Sequence, residues 1–407
     1  MKKTTIMSVV CVMMCVMNVW GADWPNYRGV NYDGISEETD WKVWKQSGPK
    51  VLWTAELGTG FSTMSISDGR VYSMGNKKID GKEHDVVWCF DAVTGQEIWK
   101  YVYEESLAAK NFEGGPCATP TITDGRVYTL SRSGQVFCLD AEAGSLIWKD
   151  DLTKKYGIKL PRWGLSSSPM ILDGLVYLNV GGTGMALKAA DKSLVWSNGK
   201  ADAGYASIVP YELNGKTYVL TFAGKEFAGL DSKTGAVAFS EPWKTQYAIN
   251  AADPILLDDG KIFISSGYGY GCSLLEIKDG AVKQVYKNKN MKNQCYGTVL
   301  LNGYVYGFNG QVNGGGALTC LDVNTGEAAW SQKSKELGTG SVLLAGDRLI
   351  VLGEKGMLFA VKATPDGYQE IASAKILNKK CWTPPVLANG LLYARDAFGK
   401  LVCLDLR

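Results

Sequence analysis

Histidine is the side chain that most often performs acid–base or metal chemistry near neutral pH, and this chain of 407 residues has only His84. A single histidine excludes mechanisms that need a histidine pair and zinc sites with two or more histidine ligands. Glu83 and Asp85 are also metal-ligand types, but their side chains and that of His84 should diverge in a solvated, Lys-rich loop. A Ser-His-Asp triad would have to join His84 to residues 166–168, far away in the chain. We therefore predict no catalytic residue and no metal site.

Binding chemistry is better represented, because aromatic and polar residues recur just before a series of similar strands. Rings beside Arg, Asn and Asp side chains suit a planar polar ligand, a glycan or a peptide. Ordinary packing of these residues is the alternative interpretation. The candidate binding residues are Arg162, Trp163, Tyr205, Asn250, Asp253, Gln294, Tyr296 and Trp382, with Phe61 and Phe112 in comparable positions.

The elements that would position these residues form an internal repeat. Each copy has an apolar strand, a tight turn and a second strand that typically begins Val-Tyr, as at residues 68–72 and 124–128. The turn is Asp-Gly or Asn-Gly in seven copies, and a reversed Gly346-Asp347 takes its place in the other. Such dipeptides supply the positive φ angles that tight hairpins require. The turn glycines are Gly69, Gly125, Gly174, Gly215, Gly260, Gly303, Gly346 and Gly390, spaced 41 to 56 residues apart. This spacing predicts eight four-stranded units, because a propeller blade has roughly 40–50 residues.

The second half of each unit carries its own signature. Residues 89–99 read CFDAVTGQEIW, and residues 320–330 read CLDVNTGEAAW. The Thr-Gly pair predicts another turn, and the Trp should lie on the outer strand and pack against the adjacent blade. Cys89, Cys138, Cys320 and Cys403 occupy one repeated position, so we expect them to be buried small apolar residues and not disulfide partners.

The last unit ends CLDLR at Arg407, without the turn and the Trp strand. Residues 51–54, VLWT, resemble the missing strand and would complete the last blade from the other end of the chain. Such closure leaves no exposed sheet edges. The fold prediction is therefore all-β: an eight-bladed β-propeller of four-stranded antiparallel blades.

Residues 1–21 have the organisation of a secretory signal. Lys2 and Lys3 precede an apolar run, and Val19 and Gly21 place small residues at the cleavage positions. An uncleaved membrane anchor is the alternative. We expect an arm over residues 22–50, a propeller over residues 51–407, and a periplasmic or secreted monomer without a transmembrane segment after cleavage. The chain has 43 basic and 41 acidic residues, and this near-neutral balance argues against nucleic-acid binding.

The Asp-x-x-Thr-Gly-x-x-x-Trp runs resemble the pyrroloquinoline-quinone-like (PQQ-like) β-propeller repeat. DWPNYRGVNYDG at 23–34 is similar to the start of exported PQQ-binding-like repeat proteins. The resemblance covers about residues 51–407 and specifies a fold more strongly than an activity. It makes PQQ with calcium a possible cofactor, held by carboxylate and amide oxygens such as those of Asp253, Asn250 and Gln294.

Two departures bear on function. The chain lacks the adjacent cysteines of the quinoprotein dehydrogenases and is considerably shorter than those enzymes. It also lacks the lipid-attachment cysteine of the related outer-membrane assembly lipoprotein. We therefore expect a non-catalytic binding or scaffolding module whose ligand or partner is a protein, peptide or glycan. It should bind at one mouth of the central channel of the propeller, where the segments that precede the first strands gather. A PQQ-dependent alcohol dehydrogenase-like oxidoreductase is the alternative.

Overall fold

A computed structural model describes residues 23–258, 260–313 and 315–407 of the chain. The predicted signal segment, residues 1–21, lies outside these residues. None of the helices in the described ranges has the length and apolar character needed to cross a bilayer. Within the described ranges the helical segments are Leu152–Tyr156 and the single 3-10 turn Gln246–Ala248.

Thirty-two strands form eight antiparallel sheets of four strands each, as the repeat predicted. In each sheet the first strand is innermost, since the first strands of blades 1, 2 and 3 pack against one another around the axis. The strands of the first four blades, from the axis outward, are Ser65–Ser67, Arg70–Ile79, Lys82–Asp91 and Glu97–Glu104 in blade 1; Thr121–Thr123, Arg126–Leu130, Gln135–Asp140 and Leu146–Asp151 in blade 2; Met170–Leu172, Leu175–Leu178, Met185–Lys188 and Leu194–Ser197 in blade 3; Val209–Leu213, Lys216–Phe222, Glu226–Asp231 and Val237–Pro242 in blade 4.

The remaining blades follow the same order, and the last one uses both ends of the chain. Their strands are Ile255–Leu256, Lys261–Ser266, Gly271–Lys278 and Ala281–Asn288 in blade 5; Val299–Leu301, Tyr304–Asn309, Ala317–Asp322 and Ala328–Gln332 in blade 6; Ser341–Ala345, Arg348–Leu352, Met357–Lys362 and Glu370–Lys375 in blade 7; Val386–Ala388, Leu391–Arg395, Lys400–Asp405 and Lys50–Glu56 in blade 8. A further strand, Ile35–Ser36, pairs in parallel with the innermost strand of blade 7.

Ring closure occurs where the sequence predicted it. Lys50–Glu56 is antiparallel to Lys400–Asp405, with Trp53 opposite Cys403. The Trp53 indole N–H then donates to the Ala92 carbonyl of blade 1 at 3.0 Å, which joins the last blade to the first. The predicted eight-bladed ring is confirmed.

Repeated tryptophans dock neighbouring blades by one recurring contact. The Trp99 Nε1–H donates to the Ala141 carbonyl of blade 2 at 3.0 Å, and the ring covers Gly144 in the Thr-Gly-type turn there. A Cβ on Gly144 would lie 2.5 Å from the indole, so only glycine admits the ring. The turn signature and the Trp signature are therefore two halves of one interface. Equivalent indole bonds come from Trp148, Trp196 and Trp330.

The repeated cysteines fill the slot predicted for them. All eight cysteines in the described ranges are free, and Cys89, Cys138, Cys320 and Cys403 are buried. The prediction of small apolar packing residues is confirmed.

One local prediction was wrong. Residues 83–85 do not form a solvated loop but lie in the long third strand of blade 1, where Asp85 is fully buried.

A second buried charge lies in blade 8. Arg395 is buried and donates to the carbonyls of Gly58, Ser62 and Met74. Its planar guanidinium has several donors, and it uses them to tie blade 8 to blade 1.

Candidate functional site

A cavity of about 490 Å³ lies at one mouth of the ring axis. Because the strands of each blade are antiparallel, the turns after its first and third strands lie on the face of the ring away from the cavity. The cavity is therefore built from segments that lead into first strands, together with loops between second and third strands. Its lining residues are Tyr27, Phe61, Asn111, Phe112, Cys117, Arg162, Trp163, Ser166, Ser168, Tyr205, Ser207, Tyr247, Ile249, Ala251, Tyr268, Gln294, Cys295, Tyr296, Gln311, Val312, Asn313, Trp382 and Pro384.

One wall of the cavity is an apolar aromatic cluster. The Phe61 ring lies 5.5 Å from the Phe112 ring and 5.6 Å from the Trp382 ring, centroid to centroid. The Trp382 indole N–H donates to Glu354 Oε1 at 2.9 Å, which fixes the orientation of that ring. This wall, contributed by the segments before blades 1, 2 and 8, offers ring faces to a ligand.

The opposite wall combines tyrosines with a cation. The Trp163 ring lies 6.2 Å from the Tyr205 ring and 6.0 Å from the Tyr247 ring. The Arg162 guanidinium lies 5.2 Å from the Trp163 centroid and 5.2 Å from the Tyr247 centroid. Arg162 is exposed, and it is the single Asp, Glu, Lys, Arg or His among the described lining residues.

Hydroxyl and thiol groups line the deep end of the cavity. Tyr27 and Tyr296 are there, with Cys117 and Cys295. Burial raises the pKa of both phenols well above their usual value, and it raises the pKa of Cys117 to about 11 and that of Cys295 to about 12. All four groups are consequently neutral at physiological pH, and they can donate hydrogen bonds without adding charge.

Tyr27 reaches this position because residues 23–36 enter the central channel. Trp24 exchanges two backbone hydrogen bonds with Ile66, the middle residue of the first strand of blade 1. The Pro25 carbonyl accepts from the Ile122 amide of blade 2 at 2.8 Å. The chain then turns and leaves along the first strand of blade 7, with Ile35 opposite Leu344. This segment, the channel arm, closes the channel beneath the cavity.

Arg28 anchors the channel arm. Its side chain is 5% exposed and donates to the carbonyls of Asp33 and Thr298 at 2.6 Å and to that of Tyr32 at 3.3 Å. Its Nε atom lies 3.9 Å from Oδ2 of the buried Asp253. Burial raises the pKa of the Asp253 carboxyl to about 6, and the Arg28 guanidinium opposes that rise. The arm therefore carries a cation into the centre of the ring and meets an anion there.

Asp253 also ends a chain of hydrogen bonds that links successive blades. The Thr63 amide donates to Thr119 Oγ1, the Thr119 amide to Ser168 Oγ, the Ser168 amide to Ser207 Oγ, and the Ser207 amide to Asp253 Oδ1, at 2.8 to 3.1 Å. Short hydroxyl side chains at one repeated position thus hold the segments that line the cavity. In blade 5 a carboxylate takes the place of the hydroxyl and provides the partner of Arg28.

The structure brings six of the eight candidate binding residues to the cavity: Arg162, Trp163, Tyr205, Gln294, Tyr296 and Trp382. Asn250 and Asp253 do not line it. Asn250 is fully buried, donates to the Ala223 and Trp243 carbonyls and accepts from Thr245 and Ser266. These contacts join blades 4 and 5, and they leave the Asn250 amide directed into the protein.

Sequence reasoning missed several lining residues. Tyr27 belongs to an arm whose path has no repeat to reveal it, and Tyr247 lies in an irregular segment with a positive φ of 63°. Tyr268 lies in the Gly-Tyr-Gly-Tyr-Gly run, which signals only a turn. Cys117 and Cys295 could have been found, since they fall outside the repeated cysteine position and precede first strands.

The lining residues do not fit PQQ with a calcium ion. PQQ is a tricarboxylate, whereas Arg162 is the one cation among the described lining residues. Calcium prefers several carboxylate and carbonyl oxygens. Within the described ranges no group of three or more His, Cys, Asp and Glu side chains is placed to hold a metal ion. Asp253, the carboxylate nominated from the sequence, is already engaged by Arg28 and the Ser207 amide.

Fold and repeat define this chain as a PQQ-like β-propeller. A family model described as "Outer membrane protein assembly factor BamB" matches residues 83–311 and 302–369, which is more than half of the chain. The protein therefore belongs to this BamB-like propeller family. No curated protein matches the chain significantly.

Solved structures of the same fold include both assembly factors and enzymes. BamB from Moraxella catarrhalis is 15% identical with a TM-score of 0.64, and the match covers 89% of this chain and 98% of that one. The quinohemoprotein alcohol dehydrogenase from Comamonas testosteroni is 15% identical with a TM-score of 0.69, covering 94% and 80%. A europium-containing methanol dehydrogenase is 11% identical with a TM-score of 0.69, covering 91% and 89%. At these identities the likeness shows the fold alone.

Proposed function

We propose that this protein is an exported, non-catalytic binding module that receives a ligand or a segment of a partner in the cavity at the channel mouth. The observation that carries the proposal is a cavity lined by aromatic side chains: two aromatic walls face each other above a floor to which the channel arm contributes Tyr27. Concave, mostly apolar cavities of 300–1,000 Å³ with a few polar groups are typical of binding sites.

Rigidity supports binding at this place. The lining segments are held by the hydrogen-bond chain from Thr63 to Asp253 and by the Trp382–Glu354 bond. A site whose walls are already ordered loses little conformational freedom when a ligand enters. The cavity is therefore preorganised, and this favours affinity whatever the chemistry of the ligand.

The alternative, a PQQ-dependent alcohol dehydrogenase-like oxidoreductase, has less support. Its cofactor carries three carboxylates that need cationic partners, and its calcium ion needs carboxylate ligands. Among the described lining residues Arg162 is the one cation, and none is a carboxylate. Burial raises the pKa of six acid–base groups in the lining, which are Tyr27, Tyr205, Tyr268, Tyr296, Cys117 and Cys295. None of these groups is an efficient base at neutral pH.

The description of the family favours a location outside the cytoplasm and a protein partner, since it names an outer-membrane assembly factor. We propose a periplasmic or secreted protein that acts as a monomer. The six candidate binding residues that line the cavity are proposed to contact the ligand. Asn250 and Asp253 are proposed to support the site from behind.

Photo-crosslinking in the exporting cells tests the proposal. The photoreactive residue p-benzoylphenylalanine replaces Phe112 in the cavity or, as a control, Val237, which is 53% exposed on the outermost strand of blade 4. We expect a discrete crosslinked product from position 112 and none from position 237, and mass spectrometry of the purified protein detects a small-molecule adduct as well as a crosslinked partner. No product from position 112, or the same products from both positions, would contradict the proposal.

A turnover assay separates the alternative. Purified protein is supplied with PQQ and calcium, and dye-linked oxidation of primary alcohols is followed. We expect no turnover above the rate with PQQ and calcium alone. Turnover that Arg162→Gln abolishes would establish the oxidoreductase instead.

A further inference from the structure

The two walls of the cavity differ in chemistry, and the difference specifies a ligand. The Phe61, Phe112 and Trp382 wall is apolar, whereas the Trp163 and Tyr205 wall also carries the Arg162 guanidinium. We propose that the cavity binds a small free acid with a ring-sized apolar body and one carboxylate, the ring lying on the first wall and the carboxylate on Arg162. This inference rests on the proposed function and deepens it.

Arg162 is available for a ligand anion, whereas two other cations near the cavity, Lys380 and Arg132, are engaged. Lys380 pairs with Glu113 at 2.7 Å. Arg132, which is 6% exposed, donates to the carbonyls of Leu107, Ala108 and Trp163.

In the described part of the chain Arg162 makes no ion pair, and its guanidinium lies 5.2 Å from the centroids of both the Trp163 and the Tyr247 rings. These two rings hold the cation at the cavity wall, and its N–H donors remain for a carboxylate.

A single unpaired cation limits the ligand to one anionic group. A second carboxylate on the ligand would enter an apolar space without a partner, and burying an unpaired charge is costly. The neutral phenols of Tyr27 and Tyr296 can donate to an uncharged oxygen of the ligand, such as a carbonyl or hydroxyl. The cavity therefore selects for one charge near its mouth and none at its floor.

The size of the cavity and the position of the channel arm favour a free small molecule. Its volume of about 490 Å³ lies in the range of small-ligand sites. The channel arm blocks passage along the axis, so a chain cannot thread through. The carboxyl terminus of a polypeptide that ends in an aromatic residue offers the same ring and carboxylate. The experiment below distinguishes such a chain end from a free acid.

Binding of 2-naphthoate to the full protein, measured by titration calorimetry, tests the proposal. The neutral analogue 2-naphthalenemethanol and the ring-free acid hexanoate are measured beside it. We expect 2-naphthoate to bind most tightly and to weaken as salt is raised, because an exposed cation is screened. Equal affinity for naphthoate and its neutral analogue would overturn the proposal.

Variants then assign the two walls. Arg162→Gln should weaken 2-naphthoate about tenfold and leave 2-naphthalenemethanol unchanged, since only the charged hydrogen bond is removed. Phe61→Ala should weaken both ligands. Lys233→Gln, in an exposed turn on the opposite face, is the matched control and should change neither. Thermal unfolding checks that each variant is folded.

Two further outcomes would overturn the inference. A tetrapeptide ending in phenylalanine that binds more tightly than 2-naphthoate would assign the cavity to a chain end. Absence of naphthoate binding at millimolar concentration would exclude the ligand class. Either result leaves the crosslinking test of the proposed function intact, because that test needs no knowledge of the ligand.

Discussion

Replacing Arg28 by methionine should release the channel arm from the ring. The substitution keeps an unbranched side-chain stem but removes the guanidinium, which donates to the Asp33, Thr298 and Tyr32 carbonyls, and it leaves Asp253 without its cation. Removing one partner of a buried charge pair typically costs about 3–5 kcal/mol. The pair is long at 3.9 Å, so we expect about 3 kcal/mol, or more than a hundredfold in the opening equilibrium of the arm.

The free-energy cost of Arg28→Met should depend on pH, and the pKa of Asp253 determines whether that cost rises or falls with pH. In the wild type its pKa is about 6 in the folded state, above its ordinary value of 3.8, so the folded protein holds the proton more tightly than the unfolded chain. Stability contributed by such a group falls as pH rises from about 4 through the folded pKa. Without Arg28 the folded pKa rises further. The cost of Arg28→Met should therefore be smaller at pH 5 than at pH 8.

Hydrogen–deuterium exchange of peptides from residues 23–36 is the appropriate assay, because local opening of the arm does not require the ring to unfold. Exchange should accelerate about a hundredfold in Arg28→Met at pH 8. Adding Asp253→Asn should remove most of the pH dependence. The control Arg126→Met also loses a bond to a carbonyl, that of Ala189, but at a partly exposed site, and it should leave the arm unchanged. Unaltered arm exchange in Arg28→Met would refute this reasoning.

Three other substitutions test the packing. Burial raises the pKa of Asp85 to about 7 from 3.8, so the contribution of this carboxyl to wild-type stability should fall by up to about 4 kcal/mol between pH 4 and pH 7. Asp85→Asn should remove that contribution and leave a shallower loss of stability with pH in urea unfolding; an unchanged slope would contradict this. Gly144→Ala should lower the free energy of unfolding by at least about 2 kcal/mol more than Gly125→Ala does. Both glycines have a similar positive φ, but only a Cβ at position 144 would meet the Trp99 indole. Equal losses of stability would show that the indole does not pack against the turn. Arg395→Met should lower the free energy of unfolding by about 3 kcal/mol, and with it the thermal midpoint, because it leaves buried carbonyls without donors. A loss below about 1 kcal/mol would contradict the structural role of this buried side chain.

The ring was predictable because its determinants are local and repeated. Each Asp-Gly or Asn-Gly pair sets a turn through positive φ, as at Asp68 and Gly69, and each Thr-Gly to Trp spacing sets a blade interface. The strand at Trp53 could be assigned to blade 8 because the last copy of the repeat lacks it. These inferences do not depend on knowing which way the side chain of a loop residue points.

The site was less predictable because it depends on such directions. Tyr205 and Asn250 both precede first strands, yet Tyr205 faces the cavity while Asn250 turns inward to carbonyl partners. Spacing cannot separate these cases. The path of residues 23–36 was not predictable either, since its anchor joins Arg28 to Asp253 across more than two hundred residues. Only the folded ring brings that carboxylate to the axis.

Filling the cavity is the most direct test of its role. Ser166→Trp places a large ring in the cavity, and Ser240→Trp places the same ring on the exposed outer strand of blade 4. The measurement is the yield of the product crosslinked from position 112 in each background. The account predicts that the product disappears in Ser166→Trp and persists in Ser240→Trp. Equal yields from the two folded variants would show that binding does not use this cavity.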